Sequence, residues 1–433
     1  MNNARNFIFA VSTILSLTPV YAQQSQRSFE VNSCVSCHLE IGEELALPVQ
    51  GMENDVHAEQ GLSCADCHGG DPKAGLDGDP EAAMDPAKGY IGVPRRTEIP
   101  RFCARCHSNP SYMKQFNPRV ATDQYDRYLT SVHGQRLKTG DEKVAVCTDC
   151  HGVHGIRNAK DSRSSVYPLN IPDTCGHCHG NASYMEEYGI PTNQVAEYKK
   201  SVHGKALLGK GDLAAPACND CHGNHGATPP GAPSVAYVCG QCHLNNSELF
   251  FKSPHYQAFL EMDLPECETC HGNHDIEHPS DELLGVGPNS ICLDCHDEGT
   301  RAYDIARTMY LLIDSLKTRI AMADSLISKA ERAGMPVNEA KFKLHDADDA
   351  LIKARTMIHS LSVATVEKVI NKGVTLTNEV ITMGKQALAE LQFRRKGLAI
   401  SIVFILILAL GLFLKIKEVD QKYPIRTQNP NGK

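Results

Sequence analysis

The chain carries nine Cys-x-x-Cys-His motifs, and these motifs contain every one of its 18 cysteines. They read CVSCH (34–38), CADCH (64–68), CARCH (103–107), CTDCH (147–151), CGHCH (175–179), CNDCH (218–222), CGQCH (239–243), CETCH (267–271) and CLDCH (292–296). Zinc knuckles need no histidine at the fifth position, and disulfide frameworks scatter their cysteines. The five-residue motif is the attachment signature of c-type haem, so the sequence predicts nine covalent haems c.

Each motif would tether one haem through two thioether bonds and ligate its iron from one side through the histidine. The predicted attachment residues are Cys34, Cys37, Cys64, Cys67, Cys103, Cys106, Cys147, Cys150, Cys175, Cys178, Cys218, Cys221, Cys239, Cys242, Cys267, Cys270, Cys292 and Cys295. The predicted proximal ligands are His38, His68, His107, His151, His179, His222, His243, His271 and His296.

A second set of histidines recurs with the motifs. The unit is a motif, a Ser-Val-His-Gly segment, and a second motif followed by Gly-x-His, with shorter copies at both ends of the region. Because each fuller unit has two such histidines for two haems, we interpret them as sixth ligands. They are His57, His133, His154, His203, His225, His255 and His274. His154, His225 and His274 each lie three positions after a motif, too close along the chain to reach around the ring of that motif's own haem. We therefore expect them to ligate a neighbouring haem.

Seven such histidines leave two of nine irons without a patterned sixth ligand. In the first repeat unit, Asp71 stands where the later units have the histidine of Gly-x-His. The ninth motif is followed by no such histidine. The candidates for these irons are His177, His278, His345 and His359, of which His345 and His359 lie in a polar helical stretch that favours ordinary solvated residues. An open iron would favour the alternative function, a reductase of nitrite, hydroxylamine or a sulfur oxyanion.

Bis-histidine haems have no vacant position for a substrate and low reduction potentials. The sequence therefore favours electron transfer over catalysis, and no catalytic residue is predicted. Porphyrins would supply the apolar interior of this region, in keeping with 6% aromatic residues, no Trp and Gly- and Pro-rich spacers. The predicted fold is mainly α with extensive loops, packed around haems over residues 23–299.

Two apolar segments predict export and anchoring. Residues 1–22 have the charge, apolar stretch and small-residue cleavage site of a signal peptide. Residues 397–416 predict one transmembrane helix flanked by basic residues, followed by a cytoplasmic tail at 417–433. This places the haem domain on the external side of the cytoplasmic membrane. The net charge of −8 argues against a nucleic-acid partner.

Residues 300–396 contain no cysteine and show a helical packing period. Apolar or small residues recur at 306, 309, 313, 316, 320, 323, 327 and 330, and again at 344, 347, 351, 354, 358 and 361. We expect an antiparallel helical hairpin that serves as a stalk or as a contact between copies of the chain, with a further break near Gly373.

The doubled motifs, the segments YLTSVHG and YKKSVHG, and the CHGVHG and CHGNHG strings resemble those of exported multihaem c-type cytochromes. The resemblance covers roughly residues 30–298. It implies electron transfer from the quinol pool, through a membrane-embedded quinol-oxidising or cytochrome b-type subunit, to periplasmic redox proteins or extracellular acceptors. The helices after the last motif resemble pentahaem and octahaem enzymes in architecture only.

We predict that the native protein carries nine covalent porphyrins, because every cysteine belongs to an attachment motif. Intact mass spectrometry of the matured chain should show nine added porphyrin masses. Free thiols, disulfides or bound zinc at these cysteines would contradict the prediction.

Overall fold

The computed structural model describes residues 32–75, 79–227 and 235–422. Within these ranges the chain forms helices and loops and no strand, so the mainly α fold predicted from the sequence is confirmed. The predicted signal peptide and residues 423–433 of the predicted tail lie outside the described residues.

The α-helices of the motif region are short. They are α1 (Ser33–Ile41), α2 (Glu43–Met52), α3 (Val56–Glu59), α4 (Cys64–His68), α5 (Ile99–His107), α6 (Pro110–Met113), α7 (Gln124–Thr130), α8 (Val132–Lys138), α9 (Cys147–His151), α10 (Ile171–His179), α11 (Ala182–Met185), α12 (Gln194–Lys200), α13 (Val202–Gly204), α14 (Cys218–His222), α15 (Val235–Gly240), α16 (Leu244–Phe251), α17 (Pro254–Met262) and α18 (Glu268–His271). Three long helices follow: α19 (Arg301–Arg332), α20 (Asn338–Met357) and α21 (Val363–Lys422).

Single turns of other helix types connect these elements. The 3₁₀ turns are Pro80–Met84, Pro86–Lys88, Arg96–Glu98, Glu186–Tyr188, Asp281–Leu283, Ile291–Asp294 and Ile358–Ser360, and Lys205–Gly209 forms a π turn. The chain divides into two compact units. The first comprises Met1–Val238 and His271–His278, and the second comprises Cys239–Cys270 and Pro279–Lys433.

An aspartate inside the motif starts three of the motif helices. The Asp149 carboxylate accepts a hydrogen bond from the Val146 N–H at 2.6 Å, one residue before the motif begins. Asp66 and Asp220 make the same bond at 2.7 and 2.8 Å. This contact satisfies an N–H group that the helix leaves free and places negative charge at the helix N-terminus. The Cys-x-Asp-Cys-His sequence thus fixes its own helical turn.

Polypeptide side chains build little apolar core in the first unit. Among its described residues, the compact apolar cluster is Leu137, Val144 and Val146, with Ile99 and Tyr128 packed against it. A region this poor in buried apolar side chains needs other apolar mass to fold as a compact body. Large planar cofactors between the short helices would supply that mass.

The main polypeptide core lies among α19, α20 and α21 in the second unit. Both seams predicted from the sequence are buried or partly buried there, including Met309, Ile313 and Leu316 on α19 and Ala347 and Ala354 on α20. The predicted pair of helices packs as expected, and α21 lies along both of them as a third member.

Gly373 lies inside α21, which runs through the expected break without interruption for 60 residues. A β-carbon at Gly373 would approach the methyl groups of Leu316 at 2.7 and 2.9 Å and the Ala350 β-carbon at 3.3 Å. The glycine therefore permits close packing of the three helices.

The same helix carries the apolar segment near the C-terminus. It is the one helix among the described residues that is long and apolar enough to cross a membrane, and its apolar part is exposed. Apolar side chains such as Phe404, Ile405 and Phe413 each leave more than 60% of their surface uncovered.

We predict that Gly373→Leu lowers the free energy of unfolding by about 2 kcal/mol, because the added side chain overpacks the contact with Leu316. The measurement is chemical unfolding followed by far-UV circular dichroism in detergent. Gly397→Leu is the matched control on the same helix, since nothing lies within 4 Å of its β-carbon position. Equal losses in both variants would refute the packing role.

Candidate haem sites

Histidine rings from distant parts of the chain face each other in pairs. In each pair, one ring belongs to a Cys-x-x-Cys-His motif and the other to the predicted distal set. The ring-centroid distances are 5.9 Å for His57–His107, 6.1 Å for His68–His154, 6.1 Å for His133–His179, 6.1 Å for His151–His225, 6.0 Å for His222–His274 and 5.8 Å for His255–His296.

This spacing matches what an iron between two imidazoles requires. Metal–imidazole nitrogen bonds of about 2.0–2.1 Å put the two nitrogens about 4 Å apart, and each ring centre adds about 1 Å. The expected centroid distance is therefore about 6 Å. The six pairs fit haem iron, and the adjacent cysteines are in position to tether the porphyrin.

The pairs cross between neighbouring units of the sequence repeat. His154 faces His68, the proximal residue of the preceding unit, and does not face His151 three residues before it. His225 and His274 likewise face His151 and His222. In the other direction, His57, His133 and His255 face the motif histidines His107, His179 and His296 of the following unit.

Most of these imidazoles are held in their neutral form. Burial is the largest cause that lowers the pKa of His107, His133, His151, His154, His179, His225, His255 and His274. Neutral imidazole is the form that binds a metal.

Asp55 positions two of the distal histidines at once. Its side chain is 1% exposed, and one carboxylate oxygen accepts hydrogen bonds from the His57 N–H at 2.8 Å and from its Nδ1 at 2.9 Å. The other oxygen accepts from the N–H groups of Gly155 and Ile156 at 2.7 and 2.8 Å, next to His154. Burial favours the neutral acid, but these hydrogen bonds outweigh it and lower the pKa of Asp55.

The Ser-Val-His-Gly segment is a compact local structure. Ser131 is buried and caps α8, where its Oγ accepts from the Gly134 N–H at 2.9 Å. Ser201 makes the same contact with the Gly204 N–H at 3.0 Å. A side chain at Gly134 would collide with the Tyr128 carbonyl oxygen, so only glycine fits there. Serine and glycine thus fix the backbone on either side of the histidine.

Cysteines of consecutive motifs are neighbours in space. Within each of three repeat units, a thiol of the first motif is in hydrogen-bonding contact with a thiol of the second. These contacts are Cys103–Cys147, Cys175–Cys218 and Cys239–Cys267. Burial, together with a nearby cysteine of the next motif, raises the pKa of Cys67, Cys150 and Cys270 to about 11. These neighbouring cysteines are Cys106, Cys175 and Cys292, in the same order. All 18 cysteines lie in the described ranges, and none forms a disulfide.

The remaining candidates differ in their surroundings. His177, His278 and His345 are exposed, whereas His359 is half-buried in the turn Ile358–Ser360, and the role of each as a ligand stays a prediction. His203 lies on α13 behind the cap at Ser201, and its role as a ligand stays a prediction. Asp71 accepts from the Lys73 N–H at 3.0 Å and pairs with Lys88 at 3.2 Å, and these contacts lower its pKa.

The sequence patterns missed Asp55 and the motif aspartates as functional residues. A signal for the latter was present, since CADCH, CTDCH, CNDCH and CLDCH share aspartate at the third position. Asp55 had no comparable signal, because its backbone partners lie 100 and 101 residues further along the chain.

Residues 56–179 match the family model described as cytochrome c3. This part of the chain is a cytochrome c3-type multihaem domain. It contains four of the nine motifs, from Cys64 to His179, and the three predicted distal ligands His57, His133 and His154. The cytochrome c3 family implies covalently bound haem c and electron transfer. No curated protein and no solved structure was found to match the chain.

We predict that Asp55→Asn raises the midpoint potential of a haem in the cytochrome c3 domain, because a carboxylate hydrogen bond makes an imidazole ligand more electron-donating. Spectroelectrochemical titration of the holoprotein measures this. Asp71→Asn, an acid-to-amide change at a partly exposed position of the same unit, should leave the potentials unchanged. An identical titration curve for Asp55→Asn and the native protein would disprove the role of Asp55.

Proposed function

We propose that the protein is a nonahaem c-type cytochrome, anchored in the cytoplasmic membrane by one helix, that carries electrons through a chain of mostly bis-histidine haems. When bound, haem iron supplies one-electron oxidation and reduction. The chain's own residues tether each porphyrin, fill its axial positions and set its spacing from the next.

The observation that carries this proposal is the six crossing histidine pairs. An iron between two imidazoles has no position for a substrate, so it exchanges electrons and binds nothing else. Imidazole pairs also lack the thioether ligand that raises the potential of Met/His cytochromes. These sites therefore suit low-potential electron transfer.

The order of the attachment cysteines supports transfer along a row of haems within each of the two compact units. In the first compact unit, six motifs follow one another in space in the order of the sequence. Neighbouring cysteines link each motif to the next, from Cys34 and Cys64 through to Cys175 and Cys218. In the second unit they link Cys239 to Cys267 and Cys270 to Cys292. Attachment points this close would bring successive porphyrins near contact.

The location and the partners are part of the proposal. The apolar end of α21 and the basic residues beside it support a membrane anchor, and c-type cytochromes are typically exported. The haem domain would then face the periplasm or exterior. The electron donor would be the quinol pool or a cytochrome b-type subunit, and the acceptors would be periplasmic redox proteins or extracellular oxidants.

A second candidate function rests on the first motif. Within the described ranges no histidine ring faces His38, and Asp71 is held in a local turn and an ion pair with Lys88. An iron ligated by His38 alone would keep an open position. Such a haem could bind nitrite, hydroxylamine or a sulfur oxyanion and reduce it.

We predict that electron paramagnetic resonance of the oxidised protein is dominated by low-spin ferric haem, because at least six irons have two imidazoles within reach. Nitrite or hydroxylamine should leave these low-spin signals unchanged. A signal that shifts for one haem, together with turnover of the same ligand by the reduced protein, would favour the reductase.

His57→Ala provides the reference for an open iron, since it removes one ring of the His57–His107 pair. It should add one high-spin haem and leave the other signals in place. A native spectrum with mostly high-spin haem would disprove the electron-carrier function.

A further inference from the structure

The six histidine pairs differ in the angle between their ring planes. The rings are nearly parallel in three pairs, at 8° for His151–His225, 12° for His222–His274 and 16° for His255–His296. They are nearly perpendicular in the pair His57–His107, at 87°. The two remaining pairs lie between these limits, at 33° and 55°. The same two ligands are thus presented to iron in different arrangements.

The angle between the planes decides how two imidazoles act on an iron between them. Each ring donates electron density into an iron d orbital whose lobes point out of the ring plane. Parallel rings raise the energy of the same orbital, whereas perpendicular rings raise two orbitals about equally. The pairs at 8° and 87° would therefore give ferric haems with different electronic ground states, although both are bis-histidine and low-spin.

Asp55 holds the ring of His57 across the ring of His107. One carboxylate oxygen accepts from the His57 backbone N–H at 2.8 Å and from the ring Nδ1 at 2.9 Å, so rotation of the ring would break the second bond. A carboxylate bound to the outer nitrogen of a ligand histidine fixes the orientation of its ring. The carboxylate itself is held, because its other oxygen accepts from the N–H groups of Gly155 and Ile156.

A parallel pair has a different support. His255, whose plane makes an angle of 16° with that of His296, also stacks on Phe259. The centroids of His255 and Phe259 are 5.3 Å apart and their planes differ by 17°, and Phe259 is 6% exposed. Stacked aromatic rings attract each other in this geometry, so a buried ring resists rotation of its neighbour. An aromatic face keeps His255 parallel to its partner, whereas a carboxylate turns His57 across its own.

We propose that Asp55 is a positioning residue that gives the third haem, attached at Cys103 and Cys106, crossed axial imidazoles and an electronic state unlike that of the fourth haem. This inference rests on the proposed haem function, since it needs an iron between the rings.

Asp55 then acts on the third haem in two opposite ways. Parallel rings favour loss of an electron from the orbital that both raise, so crossed rings give a higher reduction potential than parallel ones. The carboxylate makes His57 more electron-donating, which lowers the potential. A spectrum that depends on ring orientation is therefore the decisive measurement.

Electron paramagnetic resonance of the oxidised holoprotein distinguishes the two arrangements. Crossed rings give one prominent low-spin line at large g, and parallel rings give a rhombic low-spin spectrum. The native spectrum minus that of His57→Ala isolates the third haem, and the lost signal should be a large-g line. His225→Ala, in the same compact unit, is the matched control for the fourth haem, and its lost signal should be rhombic. A rhombic signal lost in His57→Ala would overturn the crossed arrangement.

Two variants that keep a capping side chain on α3 test whether Asp55 sets the angle. In Asp55→Ser the hydroxyl can cap the helix but is too short to hold Nδ1. Because 87° is close to the right angle at which g is largest, any rotation of the His57 ring should move the line to lower g. In Asp55→Asn the amide oxygen can still accept from Nδ1, so the line should stay in place. Mass spectrometry checks that both variants keep the native haem content.

An unmoved large-g line in Asp55→Ser would overturn the positioning role of Asp55 and leave the proposed function standing. A native protein without low-spin haem would instead refute the function itself.

Discussion

The pairing of imidazoles across the sequence repeat is the contact on which the rest of the motif region depends. Each pair joins residues that are between 41 and 86 positions apart in the printed sequence, such as His255 with His296 and His68 with His154. Because one ring of each pair comes from the unit before or after, an iron between them ties consecutive units together. Short helices with few buried apolar side chains then need no large polypeptide core.

The second unit shows the other way to stabilise a fold. Its three long helices bury two clusters of aliphatic side chains, centred on Ile327 with Val380 and on Leu316 with Ile370. Asp281 lies in the 3₁₀ turn Asp281–Leu283 before the ninth motif and connects this bundle to the motif region of the same compact unit. It accepts from Arg355 at 2.7 and 2.8 Å and from Lys317 at 3.1 Å.

The sequence predicted what depends on adjacent residues and missed what depends on the folded chain. The attachment motifs are five consecutive residues, so their chemistry could be predicted without a structure, and the packing seams around Ile313 and Leu351 followed from helical period. Asp55 could not be found, because its partners at Gly155 and Ile156 are brought to it by tertiary structure. The half-buried position of His359 was not foreseen, because a polar helical pattern concealed the 3₁₀ turn in which it lies. Gly373 was expected to break a helix, because the sequence does not show how closely Leu316 approaches it.

The unbroken length of α21 sets a physical scale for the second unit. Residues 363–396 rise about 50 Å before the apolar segment begins, at 1.5 Å per residue. With that segment in a bilayer and the helix upright, the turn at His359 would stand about that height above the lipid surface. An electron leaving the membrane could not cross such a gap in one tunnelling step. Electrons exchanged between the membrane and a haem at that height would have to pass through intermediate redox centres.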